Sequence, residues 1–372
     1  MTVEESLSDS DANRYSRQIV LSDIGWEGQQ KLKGSTVLVV GAGGLGSPIL
    51  VQLASMGVGS IRIVDRDILS VTDLQRQYLY RESDAGLPKI EAALVRLKEI
   101  NPSVKVEGFA ESLTYESMLE HLRGVDVVLD GLDGIRARYA VNRAAYEMKV
   151  PYVFSSAIEM LGSVTTIVPG KTPCLECFYG GLQEGSVPTC AVVGVHPAIL
   201  GVVGSIAVSE AVKIMTGAEP SLLSKLLMVD LRDFSVDTIK LKERPSCPVS
   251  GSSRRPTKVS PFLMEHSCRR DGTGTYFINP KRVLTLDLER LDSYSSHEGI
   301  PILKGSPLFR TLRLDDVFDV TILRSGTAIF AVKKPIQDIH AAERRMKALF
   351  RGVMEKGLGV GWDQYGNPKA HS

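Results

Sequence analysis

The sequence has no excess of charge of either sign: 44 lysines and arginines stand against 43 aspartates and glutamates, a formal net charge of +1 over 372 residues. No overall field draws such a chain to nucleic acid or anionic lipid, so any charge-driven function is local. The first residues, MTVEESLSDSDANRYSRQ, are acidic and lack the basic and apolar blocks of a secretory signal. The chain also reads as lacking an uninterrupted apolar run of about 18 residues, the length a membrane span needs. A soluble cytoplasmic protein is expected, without a membrane partner and with nucleic acid disfavoured. Cysteine is scarce, with five residues at positions 174, 177, 190, 247 and 268. That is no secreted disulfide framework, and the Cys-x-x-Cys pair Cys174 and Cys177 points to metal binding or catalysis.

The chain has enough apolar residues, 43%, for one large α/β domain and a smaller appendage. Residues 36–40 (TVLVV) run straight into GAGGLGS and then PILVQLASMGVG, which reads as strand, glycine turn and helix. A second apolar run, IRIV at 61–64, ends in Asp65 and completes a βαβ unit. Pro88 opens a helix with Ile90, Leu94, Leu97 and Ile100 on one face, stopped by Asn101 and Pro102. Strand-like VKVEGFA, VDVVLD at 125–130, a helix over 136–149 and a strand at YVFSS follow. The alternation predicts an α/β fold with a Rossmann-like, doubly wound, mostly parallel sheet. Residues 191–217 are small and apolar, and the reading is a buried helix too interrupted to span a membrane.

GSSRRPTKVSP at 251–261 is a linker by composition, which places the main domain at 13–250 and a small C-terminal α/β module at 262–356. In that module VTILRSGTAIFAV reads as a hairpin about Ser325 and Gly326, and HAAERRMKALFRGVM as an amphipathic helix. Residues 357–372 are expected to form a mobile tail.

Gly41, Gly43 and Gly46 form G-x-G-x-x-G, with Gly44 inside it, a pattern that lets backbone N–H groups approach a phosphate or ribose. Alone it suggests a dinucleotide. The stretch after Asp65 fits that poorly, because it carries Asp67, Asp73, Gln75, Arg76 and Gln77 and then Lys89. Hydride transfer needs no such cluster, whereas adenylation of a carboxylate does. Attack on the α-phosphate of ATP builds negative charge that Arg, Lys and Mg²⁺ stabilise. Asp130 and Asp133 fall at a strand end where such a sheet places its ligands, and either could hold Mg²⁺. Each charged residue taken singly also suits a solvated surface; their concentration at strand ends argues for a site.

The series RYSRQ, GAGGLGS, VDRDILSVTDLQRQ, GLPK, DGLDGIRAR and CLEC, in order over residues 13–250, resembles the MoeB/ThiF/HesA family, the prokaryotic relatives of ubiquitin-activating enzymes. The resemblance implies ATP-dependent adenylation of the C-terminal carboxylate of a small ubiquitin-like sulfur carrier, MoaD-like or ThiS-like, ending in Gly-Gly. Gly41, Gly43, Gly44, Gly46, Asp65, Asp67, Asp73 and Gln77 would lie at the nucleotide. Arg76 and Lys89 would face the phosphates with Gln77, and Asp133 would be the Mg²⁺-linked acid. Arg17 matches an arginine that reaches the ATP of a partner protomer, implying a homodimer.

Two positions depart from the pattern: Asp73 stands where the family usually has Asn, and Gly134 replaces an Asn. A carboxylate near triphosphate repels it unless a metal or Arg screens it. Cys174, Cys177 and Cys247 match three of four zinc-binding thiolates, with Ser250 at the fourth position; Cys268 or His266 could complete the shell, or the thiols could be metal-free. Cys190 sits where some relatives form a thioester or persulfide, and a buried structural cysteine is the other reading.

The C-terminal module lacks a rhodanese-type loop and contains only Cys268, so transferred sulfur would come from a separate sulfurtransferase. The alternatives are adenylation of a peptide C-terminus or of a tRNA threonylcarbamoyl group, or a non-catalytic scaffold subunit.

Overall fold

The computed structural model describes residues 7–182, 193–252, 264–268, 274–334 and 338–365. The chain divides into two compact units, Met1–Phe109 with Leu113–Val259, and Ala110–Ser112 with Ser260–Ser372. Most of the expected linker lies outside the described residues.

In the first unit, helices α1 (Asp9–Arg14), α2 (Ser16–Ile19) and α3 (Gly25–Gly34) precede β1 (Thr36–Val40). The β-branched side chains of β1 are almost wholly buried, as a parallel strand covered on both faces requires. The glycine turn leads into α4 (Gly46–Met56), and β2 (Ser60–Val64) returns parallel to β1. Then come α5 (Lys89–Ile100), β3 (Lys105–Phe109), α6 (Tyr115–His121), β4 (Val127–Asp130), α7 (Ile135–Met148) and β5 (Tyr152–Ile158). Strand β6 (Leu161–Ile167), α8 (Leu175–Phe178), α9 (Pro197–Thr216), β7 (Lys225–Asp230) and β8 (Ser235–Lys240) complete the unit.

The sheet order is β3-β2-β1-β4-β5-β6-β7-β8, with the first five strands parallel and the last three added antiparallel. The chain winds outward from β1 in one direction and from β4 in the other. The crevice at their carboxyl ends is where an open α/β sheet binds ligands.

Helix α9 is more uniformly apolar than the sequence reading allowed: among the described residues it is the one helix long and apolar enough, by length and composition, to cross a membrane. Its packing is that of a core helix. Gly204 lies so close to α4 that a Cβ there would meet Pro48 Cγ at 2.9 Å. Glu210, 2% exposed, accepts hydrogen bonds from Thr166 Oγ1 (2.8 Å) and from the N–H groups of Ser221 (3.0 Å) and Leu222 (2.9 Å).

The second unit holds β9 (Met264–Cys268), β10 (Gly274–Ile278), α10 (Leu288–Glu298), β11 (Ile302–Ser306), β12 (Phe309–Arg313), β13 (Phe318–Leu323), β14 (Ala328–Val332) and α11 (Ile339–Arg351). The order β11-β12-β13-β14-β10-β9 is antiparallel throughout, and β13 and β14 form the hairpin about Ser325 and Gly326. Met346 and Phe350 of α11 join Tyr276, Phe318 and Phe330 in its core.

The expected mobile tail is corrected for residues 357–365. Leu358 and Tyr365 are buried, and the Tyr365 hydroxyl donates to Gly326 O at 2.8 Å. Trp362 and Tyr365 pack their rings on Phe350 at centroid distances of 5.7 and 4.9 Å. Packing of the half-buried Trp362 and the buried Tyr365 outweighs the glycine-rich composition that suggested disorder.

Candidate active site

The chain leaves β1 at Gly41, whose φ of +86° favours glycine. A Cβ on Gly41 would lie 2.6 Å from Gly131 O, and one on Gly46 would lie 2.0 Å from Gly41 O. The turn is therefore pressed against the loop after β4. Gly43 is different: a Cβ there would meet only Gln77 Nε2 at 3.8 Å and Lys89 Nζ at 4.0 Å. Gly44 turns to α9, where a Cβ would meet Leu200 Cδ1 at 2.8 Å. Of the four glycines, Gly43 has its open side towards the charged residues.

Those residues come from the end of β2 and from the segment before α5. Asp65 Oδ2 accepts from the Ala42 N–H and Oδ1 from the Asp67 N–H, both at 2.7 Å, which ties the glycine turn to β2. Burial pushes the Asp65 carboxyl up to about 6, against the pull of Lys89 and with Asp67 adding to the rise. Lys89 Nζ donates to Asp67 Oδ2 at 2.8 Å, and its backbone N–H donates to Asp67 O at 2.9 Å. Burial opposes the charge of both partners. For Asp67 it is outweighed by Lys89, then Arg66, so the carboxyl lies below its ordinary range; for Lys89 it is outweighed by Asp67, Asp65 and Asp73, so the ammonium is held charged. Tyr80 supports the turn from behind, its hydroxyl donating to Ala42 O at 2.7 Å.

Asp73 closes this side of the site. Its Oδ1 accepts from Arg76 Nη2 at 2.9 Å and from Gln77 Nε2 at 3.1 Å, and Oδ2 accepts from the Ser70 N–H at 3.0 Å. The carboxylate that departs from the family pattern is thus screened by an arginine three residues on. Arg76 also donates to Thr72 O at 2.9 Å, and Gln77 is buried.

At the end of β4 the two aspartates separate in role. Asp130, fully buried, accepts from the Leu132 N–H (2.8 Å), Arg138 Nε (3.0 Å) and the Tyr152 hydroxyl. These donors occupy its carboxylate, so the expectation of Asp130 as a Mg²⁺ ligand is corrected: it anchors the loop. Arg138, missed in the sequence although it ends the quoted motif DGIRAR, also donates to Ser155 O at 2.9 Å. Asp133 is exposed on the same loop, two residues beyond the Gly131 that touches the glycine turn. Gly134 is the N-cap of α7 and supplies no side-chain cap.

Arg17 is exposed and belongs elsewhere in its own chain. Its neighbour Gln18 donates to Met56 O at 3.1 Å, at the carboxyl end of α4, whose amino end is the glycine turn. The rise of a helix of that length puts the two ends roughly 15 Å apart.

The cysteine cluster forms where α8 meets residues 244–250. The sulfurs of Cys174, Cys177 and Cys247 lie within 4.8 Å of one another. Ser250 Oγ is 3.1 Å from Cys177 Sγ and 3.4 Å from Cys174 Sγ, at the fourth corner. Burial pushes the Cys174 thiol up to about 12. A paired contact of Arg143 with Glu176, 2.8 Å through both Nε and Nη2, fixes α8, which carries Cys177 and has Cys174 as its N-cap. Three sulfurs suit a thiophilic metal, and the hydroxyl is a weaker fourth donor. Cys190 and the side chains of His266 and Cys268 lie outside the described residues.

The profile of the ThiF family matches residues 15–249. The chain belongs to the ThiF family. This ThiF-family chain is 40% identical over 245 residues to the sulfur carrier protein adenylyltransferase of Thermus thermophilus, covering 64% of this chain and 90% of that one. It is 37% identical over 247 residues to the SAMP-activating enzyme E1 of Haloferax volcanii, covering 66% and 91%. Against the sulfur carrier protein ThiS adenylyltransferase of Bacillus subtilis the identity is 35% over 325 residues, covering 85% and 94%. Among solved structures, E. coli MccB shares the fold, with a TM-score of 0.58 at 24% identity over 66% of this chain and 76% of that one. The chain is an adenylyltransferase, the activity these relatives are named for.

Proposed function

We propose that this ThiF-family protein binds ATP on the open side of Gly43 and transfers AMP to the C-terminal carboxylate of a small ubiquitin-like sulfur carrier ending in Gly-Gly. The observation that carries the reading is that Gln77 and Lys89 border that open side, with Asp73 and Arg76 bonded around Gln77 and Asp67 bonded to Lys89. A carboxylate oxygen of the carrier bonds to the α-phosphorus, the bond from that phosphorus to the bridging oxygen breaks, and pyrophosphate leaves. No proton need move, so the chemistry requires no serine–histidine pair. Gly41 and Asp65 would hold the adenosine part, and Arg76 and Lys89 would stabilise charge on the phosphates. Mg²⁺, when bound, would neutralise phosphate charge, and Asp133 is the exposed carboxylate suited to it.

In this reading Arg17 acts in a second copy of the chain, because it sits at the far end of α4 from its own glycine turn. Val20, Leu21 and Trp26, exposed beside it, would be covered in such a homodimer. Zn²⁺, when bound, would clamp Cys174, Cys177 and Cys247, and a separate sulfurtransferase would supply sulfur. Elemental analysis of purified protein tests the metal: zinc retained against a chelator should rise about tenfold in Ser250→Cys, and equal retention would count against the site.

The test of function is ATP–pyrophosphate exchange with candidate carriers. Carrier-dependent exchange, lost in Asp133→Ala and Arg76→Ala, supports the reading. Folded, ATP-binding protein without exchange for any carrier would sink it and favour another acyl substrate or a scaffold.

A further inference from the structure

The cysteine cluster has two unlike sides. Cys174 and Cys247 are fully buried, with their sulfurs 3.5 Å apart, whereas Cys177 and Ser250 are half-buried and form the side nearer to solvent. A tetrahedral metal with bonds to sulfur of about 2.3 Å needs sulfurs about 3.8 Å apart, close to the spacing of the buried pair. Among the described residues no further cysteine, histidine or carboxylate joins the three sulfurs. The Ser250 hydroxyl holds the remaining corner, 3.1 Å from Cys177 Sγ and 3.4 Å from Cys174 Sγ. A serine hydroxyl keeps its proton near neutral pH. At those distances it is a hydrogen-bond donor to thiolate sulfur and not an anionic ligand. A closed structural site has four strong donors, and three leave a position open.

The surroundings favour an anion at that position. Arg244 stands against Cys177: its backbone N–H donates to Cys177 Sγ at 3.5 Å, and its Nη2 donates to Glu176 O at 3.0 Å. Its buried Nε has no hydrogen-bond partner. Three thiolates on a divalent metal carry a single net negative charge, which a fourth would double; a guanidinium with an unused donor offsets the increase. A metal selected by three thiolates is also one that prefers sulfur to oxygen.

We propose that Cys174, Cys177 and Cys247 hold a thiophilic divalent metal such as zinc through three thiolates only, and that Ser250 leaves the fourth position to a small thiol from solution. The thiol releases its proton to solvent as its sulfur binds, and no electron is transferred. The inference rests on the metal reading above and is independent of the ATP site. Serine at position 250 then makes this a site that exchanges a ligand, where a fourth cysteine would close it.

Cobalt(II) loaded into the full chain in place of zinc tests this, because its absorption reports both tetrahedral geometry and the number of sulfur ligands. Wild type, Ser250→Ala and Ser250→Cys are kept under nitrogen without added thiol and then titrated with mercaptoethanol. Wild type should gain sulfur-to-cobalt charge-transfer absorption saturably, by about one third, as three thiolates become four, with cobalt still bound after desalting. Ser250→Ala should respond at the same or lower thiol concentration. Ser250→Cys should start at the higher intensity and stay there. A wild type that already matches Ser250→Cys and ignores thiol has a fourth thiolate from its own chain, and that result would overturn the proposal. So would a three-thiolate spectrum that thiol leaves unchanged, or one that thiol abolishes by stripping the metal. Failure of wild type and Ser250→Cys alike to take up cobalt or zinc would overturn the metal reading as well, and would leave the ATP reading standing.

Discussion

Raising the pH through the acid range should destabilise this protein at one identifiable carboxyl, Asp65. Burial lifts that group from 3.8 to about 6, with Lys89 opposing and Asp67 reinforcing the rise. Between those values the folded chain keeps a proton that the unfolded chain has released, so stability from this group falls as pH increases and levels above the folded value. At about 1.4 kcal/mol per pH unit the full effect is about 3 kcal/mol, an upper figure because the carboxyl retains some contact with water. Asp65→Asn cannot ionise and serves as the reference. The unfolding free energy of wild type minus that of Asp65→Asn should drop by up to about 3 kcal/mol between about pH 4 and about pH 7. Urea denaturation followed by tryptophan fluorescence reads it. The chain has two tryptophans, Trp26 in the first unit and Trp362 in the second, so a Trp362→Phe background reports the unit that holds Asp65. A difference that is flat with pH, or that grows as pH rises, would refute the reasoning.

Three further outcomes follow from the packing. Arg138→Ala leaves the buried Asp130 without its cation and should cost about 3–5 kcal/mol by denaturant unfolding, even though Arg138 is placed at no step of the chemistry. Gly46→Ala should cost about 3 kcal/mol or prevent folding, because its methyl would sit 2.0 Å from Gly41 O, whereas Gly43→Ala, whose methyl only touches Gln77 and Lys89, should keep its melting temperature and weaken ATP binding by filling the open side the nucleotide uses. Tyr365→Ala removes a buried ring and the hydrogen bond to Gly326, and should destabilise the second unit by about 3–5 kcal/mol, measured by Trp362 fluorescence.

The first unit was legible because its signals are local. TVLVV and IRIV are continuous apolar strands, and the glycine motif between them carries its own conformational demand. The cluster at Asp67, Asp73, Arg76, Gln77 and Lys89 was legible as a group of residue types. Its wiring was not: Lys89 pairs with Asp67 across 22 positions and through a helix start. Asp130 illustrates the limit most clearly. At the end of a strand it reads as a ligand-binding carboxylate, and only the fold shows Arg138, eight residues on, and Tyr152, on the next strand, closing over it. The tail failed for a related reason. GLGVGWDQYG looks like loop by composition, but Trp362 and Tyr365 find Phe350 on a helix already in place. Asp73 had the opposite history: it looked like a defect in sequence, and its screening by Arg76 at i+3 explains why a carboxylate can stand there.

The central claim is that the charged side of Gly43 activates a carrier's carboxylate with ATP, and mass spectrometry of the carrier tests it most directly. A carrier ending in Gly-Gly, incubated with the full chain, ATP and Mg²⁺ and quenched rapidly, should gain one AMP at its C-terminus, and should gain none with Lys89→Ala or when its last glycine is removed. A carrier left unmodified by protein that binds ATP, or one modified equally well by Lys89→Ala, would contradict the account.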